Sequence, residues 1–387
     1  MHHVCEPVCF ILPPHIIRAL AEHKDRRIRD AAMRTMALSG HLRGRREVLG
    51  QLPLGAPAGQ KRRTIYDAQH GTQLPGKLLR GEGDPATSDD AVNEAYDGLG
   101  ATYDMYFKVF QRNSVDDHGM RLDASVHYDR DFDNAFWDGR QMVFGDGDGI
   151  VFVGFTKAID VIGHELTHGV TQYTAKLEYQ DQPGALNESF SDVFGSLVKQ
   201  YHNGDDVESA DWLIGSGILA PGVNGKALRS MKAPGTAYDD PKLGGKDPQP
   251  AKMADYIETS EDNGGVHLNS GIPNHAFYLV AEQLGGNAWD DAGHIWYQTL
   301  LRLKPNAQFQ DCANVSFQVA GELYGADSAQ QQAVRSAWSE VGISVVTSAP
   351  RPRRTRERVS AGEGNGAFKK QLERLSDELK KTIESMA

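Results

Sequence analysis

Apolar positions along this chain change their spacing from one region to the next. Ile16, Ile17, Leu20, Ile28, Ala32 and Met36 recur at helical intervals in "HIIRALAEHKDRRIRDAAMRTMALSG", which predicts one amphipathic helix stopping at Gly40. The stretch "GQLPLGAPAGQKRR", residues 50–63, is rich in Gly, Pro and Ala and then turns basic, as a linker does. From Ile65 to about Thr156 the signals are mostly those of strands. "ASVHYD" and "NAFWDGRQMVFGDGDGIVFV" carry the signal, with Asp138-Gly139 as a hairpin turn. "GDGDG" lacks both the lysine of a phosphate loop and the later ligands of an EF-hand, so it reads as a plain turn. Beyond residue 157 helical spacing takes over, through "AIDVIGHELTHGVTQYTAK", "NESFSDVFGSLVKQYH", "GIPNHAFYLVAEQLGG" and "DDAGHIWYQTLLRL". Strands followed by helices make an α+β pattern. Residues 348–366 read as a flexible basic linker. Phe368, Leu372, Leu375, Leu379, Ile383 and Met386 then form a short amphipathic stripe, which invites a protein partner or self-association through residues 367–386.

Charge divides the chain as sharply as hydropathy does. The net charge is −11, but residues 1–63 hold 12 Lys/Arg against 5 Asp/Glu, a balance of +7. Residues 64–349 hold 19 against 41, or −22, and residues 350–387 hold 10 against 6, or +4. An acidic body between two basic ends suggests that an end docks on the body. So acidic a body argues against nucleic acid as a partner. No apolar run approaches the roughly 18–20 residues of a membrane span. Three cysteines, Cys5, Cys9 and Cys312, are too few for a disulfide framework.

The chemistry centres on "HELTH", His164 to His168. Positions i and i+4 of a helix lie one turn apart on the same face, so both imidazoles reach one ion. Zinc in hydrolases takes three protein ligands and keeps a fourth position for water. Glu165 stands beside the first histidine, where it can take a proton from that water. Downstream, "GALNESFSD" offers Glu188 as the third ligand and Asp192, one turn on, as a carboxylate able to orient a ligand imidazole. In "EDNGGVHLNSG" a glycine pair lets the backbone bend and present His267, with Asp262 placed to hydrogen-bond it.

These three clusters, with "NAFWDG", "GDGDG", "ALRSM" and Tyr179, resemble those of the thermolysin-like zinc metalloproteases from about residue 100 to 345. The resemblance implies a two-lobed fold, with a β-rich N-terminal lobe (61–157), a mainly helical C-terminal lobe (158–347) and the zinc site in the cleft between them. It implies one Zn²⁺ on His164, His168 and Glu188, and Glu165 as general base. It implies His267 and Tyr179 as donors to the oxyanion, with Asp262 behind His267. Asn134 and Ala135 would bind a protein or peptide substrate as an added strand. Arg229 would grip the carbonyl after the scissile bond, and Val161 and Leu228 would line an apolar pocket that favours cleavage before Leu, Ile, Val or Phe. The competing reading is a protease-like binding module that no longer cuts; the complete set of catalytic positions weighs against it.

Two departures from the family pattern stand out. Where members with a paired calcium site carry carboxylates, this chain has Lys199, Leu213 and Ser216, with only Asp160 and Asp211 remaining. An ammonium at position 199 repels Ca²⁺, so the paired site is predicted absent. At the N-terminus the chain resembles the protealysin-like subgroup, whose short propeptide carries a "PPL"-type motif, written here Pro13-Pro14-His15. Residues 1–60 are therefore expected to be an inhibitory propeptide with its linker, a partner held in the chain's own cleft. Pro13 and Pro14 would resist cleavage there, and removal would fall between about residues 48 and 63. Cys5 and Cys9 raise the rival idea of a thiolate capping the zinc. With no secretory signal evident, the expectation is a cytoplasmic precursor or export by an unconventional route.

Overall fold

The computed structural model describes residues 10–42 and 57–346. Expectations that fall on Cys5, Cys9, most of the linker and the tail lie outside the described residues.

Five short strands make the sheet of the N-terminal half: β1 Arg63–Asp67, β2 Lys77–Gly81, β3 Leu122–Val126, β4 Ala135–Trp137 and β5 Met142–Phe144. Their order is β2-β1-β3-β5-β4. β1 and β5 run parallel to β3, whereas the outer pairs are antiparallel. The predicted hairpin joins β4 to β5, and Asp138 closes it by accepting the N–H groups of Arg140 and Gln141, both at 2.8 Å. The "GDGDG" loop is likewise tied by a side chain, with Asp148 Oδ1 accepting three successive backbone N–H groups from Ile150 to Phe152. Helix α3, Asp90–Phe110, lies against this sheet. Its start is fixed by the Asp89 carboxylate, which accepts from the N–H groups of Ala91 and Val92.

The C-terminal half is built from α4 Ile159–Gln172, α5 Asp181–Asn203, α6 Asp262–Asn269, α7 Gly271–Leu284, α8 Asp291–Leu300, α9 Phe309–Tyr324 and α10 Ala329–Glu340. The observed architecture is thus the expected α+β arrangement, a sheet-containing part followed by a helical one. Two ladders interrupt the helical half: β6 Leu213–Ile214 with β7 Arg229–Ser230, and β8 Asp239–Asp240 with β9 Gly245–Lys246. Strands of two residues carry no alternation, so periodicity passes over them.

The basic N-terminal segment departs from expectation. It forms two helices, α1 Pro14–Ala21 and α2 Arg26–Leu42, and the second runs past Gly40. The break falls where Asp25 Oδ1 accepts the Arg27 N–H at 2.9 Å, as a helix N-cap does. Met36 is 47% exposed and leaves the apolar stripe, whereas Ile16, Ile17, Leu20, Ile28 and Ala32 are buried in the main core with Ile11 and Leu12. Fully burying one such aliphatic side chain is worth about 1.5–3 kcal/mol. The ion pairs that join this segment to the body, Arg18–Glu261 at 2.6 Å and Arg34–Asp131 at 2.8 Å, are solvent-exposed. Exposed pairs contribute about 0–1 kcal/mol, so apolar burial outweighs charge attraction in the docking.

Candidate metal centre and catalytic cleft

Two glycines decide how close the helices carrying the chemistry can come. A Cβ on Gly195 of α5 would sit 2.5 Å from the Asp160 carbonyl oxygen of α4, and one on Gly163 would sit 3.1 Å from Gly195 Cα. With neither present the two backbones touch, and side chains of the two helices meet. His164 Nε2 lies 3.0 Å from His168 Nε2 and 3.5 Å from Glu188 Oε2, and His168 Nε2 lies 3.4 Å from Glu188 Oε1. All three residues are buried.

The neighbours of each ring settle what that meeting point wants. His164 Nδ1 donates to Asp192 Oδ1 at 2.8 Å. His168 Nδ1 donates to Asn187 Oδ1 at 2.9 Å, and Asn187 is oriented by its own Nδ2 donating to the Leu177 carbonyl at 3.2 Å. With both Nδ1 protons committed, two Nε2 lone pairs and a carboxylate face one another. Glu188 Oε2 is buried there without a hydrogen-bond partner. Three converging acceptors of this kind fit a zinc ion. Asp192 is buried and also receives Arg229 Nε and Nη2, both at 2.8 Å, and Asn274 Nδ2 at 2.8 Å. Burial alone would raise the Asp192 carboxyl, but the Arg229 guanidinium and the His164 donor hold it well below the usual carboxylate range.

Around this point stand the other expected residues. Glu165 is buried, with Oε2 accepting the Trp137 backbone N–H of β4 at 3.1 Å. Tyr179 donates its hydroxyl to Glu188 Oε1 and lies 3.3 Å from His267 Nε2. The start of α6 is left-handed, with φ of 52° at Asp262, 48° at Asn263, 83° at Gly264 and 75° at Gly265. A Cβ on Gly264 would strike Asp181 Oδ1 at 2.0 Å, so only glycine fits this bend. The bend lets Asp262 accept both the His267 N–H at 2.9 Å and its Nδ1 at 2.7 Å. Burial alone would lower the His267 pKa, but the Asp262 and Glu188 carboxylates raise it to about 9.

The N-terminal segment enters this cleft as a strand. Phe10 bridges Phe136 on the edge strand β4 in antiparallel fashion, and their rings lie 5.3 Å apart. The Ile11 N–H donates to the Ala135 carbonyl at 3.3 Å, and the Leu12 N–H donates to Asn134 Oδ1 at 3.2 Å. His267 Nε2 donates to the Phe10 carbonyl at 2.9 Å, and Arg229 Nη1 donates to the Ile11 carbonyl at 3.1 Å. Val161 and Leu228 are buried in the same apolar core as Ile11. Pro13 and Pro14 follow the strand: Pro13 is the N-cap of α1 and Pro14 its first residue, a favoured place for proline. Strand contacts therefore come from Phe10–Leu12, and the prolines turn the chain into a helix. His15 Nε2 meets the Tyr238 hydroxyl at 2.9 Å, and burial lowers its pKa to about 4.

At the position expected to lack calcium, Lys199 Nζ lies 2.7 Å from each of Asp160 Oδ2, Asp211 Oδ1 and the Leu213 carbonyl oxygen. Sequence reasoning missed Asn187, Asn274 and Tyr238. Asn187 could have been found, because it immediately precedes Glu188. Asn274 and Tyr238 stand in no pattern of their own and reach the site only through folding.

With this geometry in place, comparison with known proteins identifies the family. The model of the thermolysin metallopeptidase catalytic domain matches residues 58–172, and that of the thermolysin metallopeptidase α-helical domain matches residues 175–343. The chain belongs to the thermolysin family of metallopeptidases. Within it, the chain is similar to the precursor of protealysin, a metalloproteinase from Serratia proteamaculans. That solved structure is 53% identical, has a TM-score of 0.81, and covers 87% of this chain and 100% of its own. An extracellular metalloprotease of Pectobacterium carotovorum is 51% identical over 341 residues, 88% of this chain and 97% of the relative. An extracellular minor metalloprotease of Serratia marcescens is 44% identical over 279 residues, 72% and 78% respectively. The names of these two relatives correct the expectation of a cytoplasmic precursor or unconventional export, because they point to secretion. No helix among the described residues is long and apolar enough to cross a membrane.

Proposed function

We propose that this metalloprotease is a zinc endopeptidase made as a zymogen, cutting before hydrophobic residues with Glu165 as its general base. The observation that carries this reading is the meeting of His164 Nε2, His168 Nε2 and Glu188 with both Nδ1 protons already committed. His164, His168 and Glu188 hold the metal. Bound there, zinc polarises the scissile carbonyl and lowers the pKa of water. Glu165, enclosed between α4 and β4, takes the proton of the attacking water and passes it to the leaving amine, an acid–base role typically worth 10²–10⁴-fold. His267, kept charged by Asp262, and Tyr179 donate to the oxyanion as it forms. Asp192 fixes the His164 ring and anchors Arg229, which holds the carbonyl of the residue after the cut. Asn134 and Ala135 pair with the substrate backbone, and Val161 and Leu228 favour Leu, Ile, Val or Phe at that residue.

Residues 10–42 act as the lock, because Phe10–Leu12 occupy the edge of β4 that a substrate strand needs. The paired calcium site of the family is replaced by the Lys199 ammonium between Asp160 and Asp211. Hydrolysis of a furylacryloyl dipeptide amide with leucine after the cut, measured before and after nicking of the Arg-rich stretch 43–46, tests the reading. Nicking and removal of the segment is expected to raise the rate, and a chelator to abolish it. A zinc-loaded, unlocked chain that hydrolyses nothing overturns it.

A further inference from the structure

The N-terminal strand meets the cleft in one continuous register. The Phe10 carbonyl receives His267, the group assigned to the oxyanion, and the next carbonyl, Ile11, receives Arg229, the group assigned to the residue after the cut. Between those two carbonyls lies one peptide bond. Its nitrogen, that of Ile11, donates to Ala135, and the following nitrogen, that of Leu12, donates to Asn134. The residue after this bond is isoleucine, fully buried, which matches the apolar preference of the pocket. Each of the four contacts therefore occupies its substrate position, with the chain running in the substrate direction.

We infer that the Phe10–Ile11 peptide bond is the enzyme's own first substrate, cut within the molecule that carries it. This inference rests on the peptidase reading above and adds a processing site to it. Water adds across the amide. The C–N bond breaks, the water oxygen leaves Phe10 with a carboxylate, and the proton relayed through Glu165 leaves Ile11 with an ammonium. No other reactant is needed. The strand is tethered, so the reaction is unimolecular and does not depend on meeting a second molecule.

The cut does not open the lock. The Ile11 carbonyl on Arg229 and the Leu12 N–H on Asn134 lie on the retained side of the bond. So do Ile16, Leu20, Ile28 and Ala32, all buried in the core. Among the described residues, the departing side holds the Phe10 carbonyl contact, its bridge to Phe136 and its place in a small apolar cluster with Ala68, Tyr128, Phe132, Phe136 and Val143. The cut chain is a product complex held by its own helices. Removal of the segment needs a second cut downstream of α2, so activation proceeds in two steps.

The test uses the full zinc-loaded chain, incubated across a wide dilution series and followed by intact mass and N-terminal sequencing. A new N-terminus at Ile11, with the complementary peptide Met1–Phe10, is expected at a first-order rate that does not change with concentration. Glu165→Gln is expected to leave the bond whole. In that variant, stripped of metal, the Ile11 and Leu12 amides are expected to resist hydrogen exchange. The inference is overturned if Ile11 never appears as an N-terminus while the nicked, unlocked chain hydrolyses the furylacryloyl dipeptide amide. It is equally overturned if the rate rises with concentration, or if both amides exchange as freely as in an unfolded peptide. Failure to hydrolyse either substrate with zinc bound overturns the peptidase reading itself.

Discussion

Replacing Lys199 with methionine removes a buried cation and leaves its anions behind. Asp160 is 1% exposed and, besides the Lys199 ammonium, accepts the Gly215 N–H at 3.2 Å. Asp211 is 43% exposed at its side chain and can turn to water. The cost therefore falls on Asp160. Breaking a buried ion pair from one side costs about 3–5 kcal/mol, and the remaining N–H contact places this case near the lower end, about 3 kcal/mol. Urea unfolding at neutral pH in a Glu165→Gln background, which prevents self-digestion, measures the loss. Adding Asp160→Asn to Lys199→Met is expected to recover most of it, because the second change removes the stranded charge. Calcium is expected to stabilise the single Lys199→Met variant, where two carboxylates and the Leu213 carbonyl then offer an oxygen-rich site, and to leave the parent unchanged. A Lys199→Met variant within about 0.5 kcal/mol of the parent, as for an ordinary surface change, would refute the reasoning. So would a large calcium-dependent gain in the parent.

Glu165→Gln should lower hydrolysis by about 10²–10⁴-fold while the chain still binds one zinc, which metal analysis of the same sample checks. Asn187→Ala removes one of the two groups that orient the His168 ring, leaving Ser191 Oγ at 3.1 Å, and should weaken metal affinity by about 10–100-fold, read by competition with a chelator. His127 lies between Asp146 and Asp89, each at 2.9 Å, and the hydrogen bonds it donates to Asp146 and then to Asp89 raise its pKa to about 9. A raised pKa means that its stabilisation is complete below about pH 6.5 and lost as pH rises through about 9. His127→Gln should therefore remove part of the fall in stability between those values in unfolding curves; an unchanged slope would count against the bridge.

The zinc residues were legible in the sequence because helical spacing alone brings His164 to His168, and Glu188 to Asp192, onto common faces. Their meeting was not legible, since it depends on Gly163 and Gly195 clearing the space between two helices distant along the chain. The left-handed turn before His267 was announced by its glycine pair, but the positive φ at Asp262 was not, because Asp takes up that conformation only where local contacts hold it and its identity alone does not mark it. The basic N-terminal segment misled as a single helix because its apolar spacing passes through Asp25, whose capping role is a local hydrogen bond invisible to periodicity. Pro13-Pro14 follow the strand that enters the cleft and begin α1. The contacts themselves come from Phe10, Ile11 and Leu12, an apolar run with no polar signal to read.

The central claim is that one zinc ion, held by His164, His168 and Glu188, makes this chain a peptidase. Returning zinc in steps to the stripped, unlocked enzyme, and measuring hydrolysis and bound metal together, tests it most directly. The account predicts no hydrolysis without metal, a linear rise, and a plateau at one zinc per chain, all lost in His164→Ala. Hydrolysis that persists in the stripped enzyme, or full zinc occupancy with none, would contradict it.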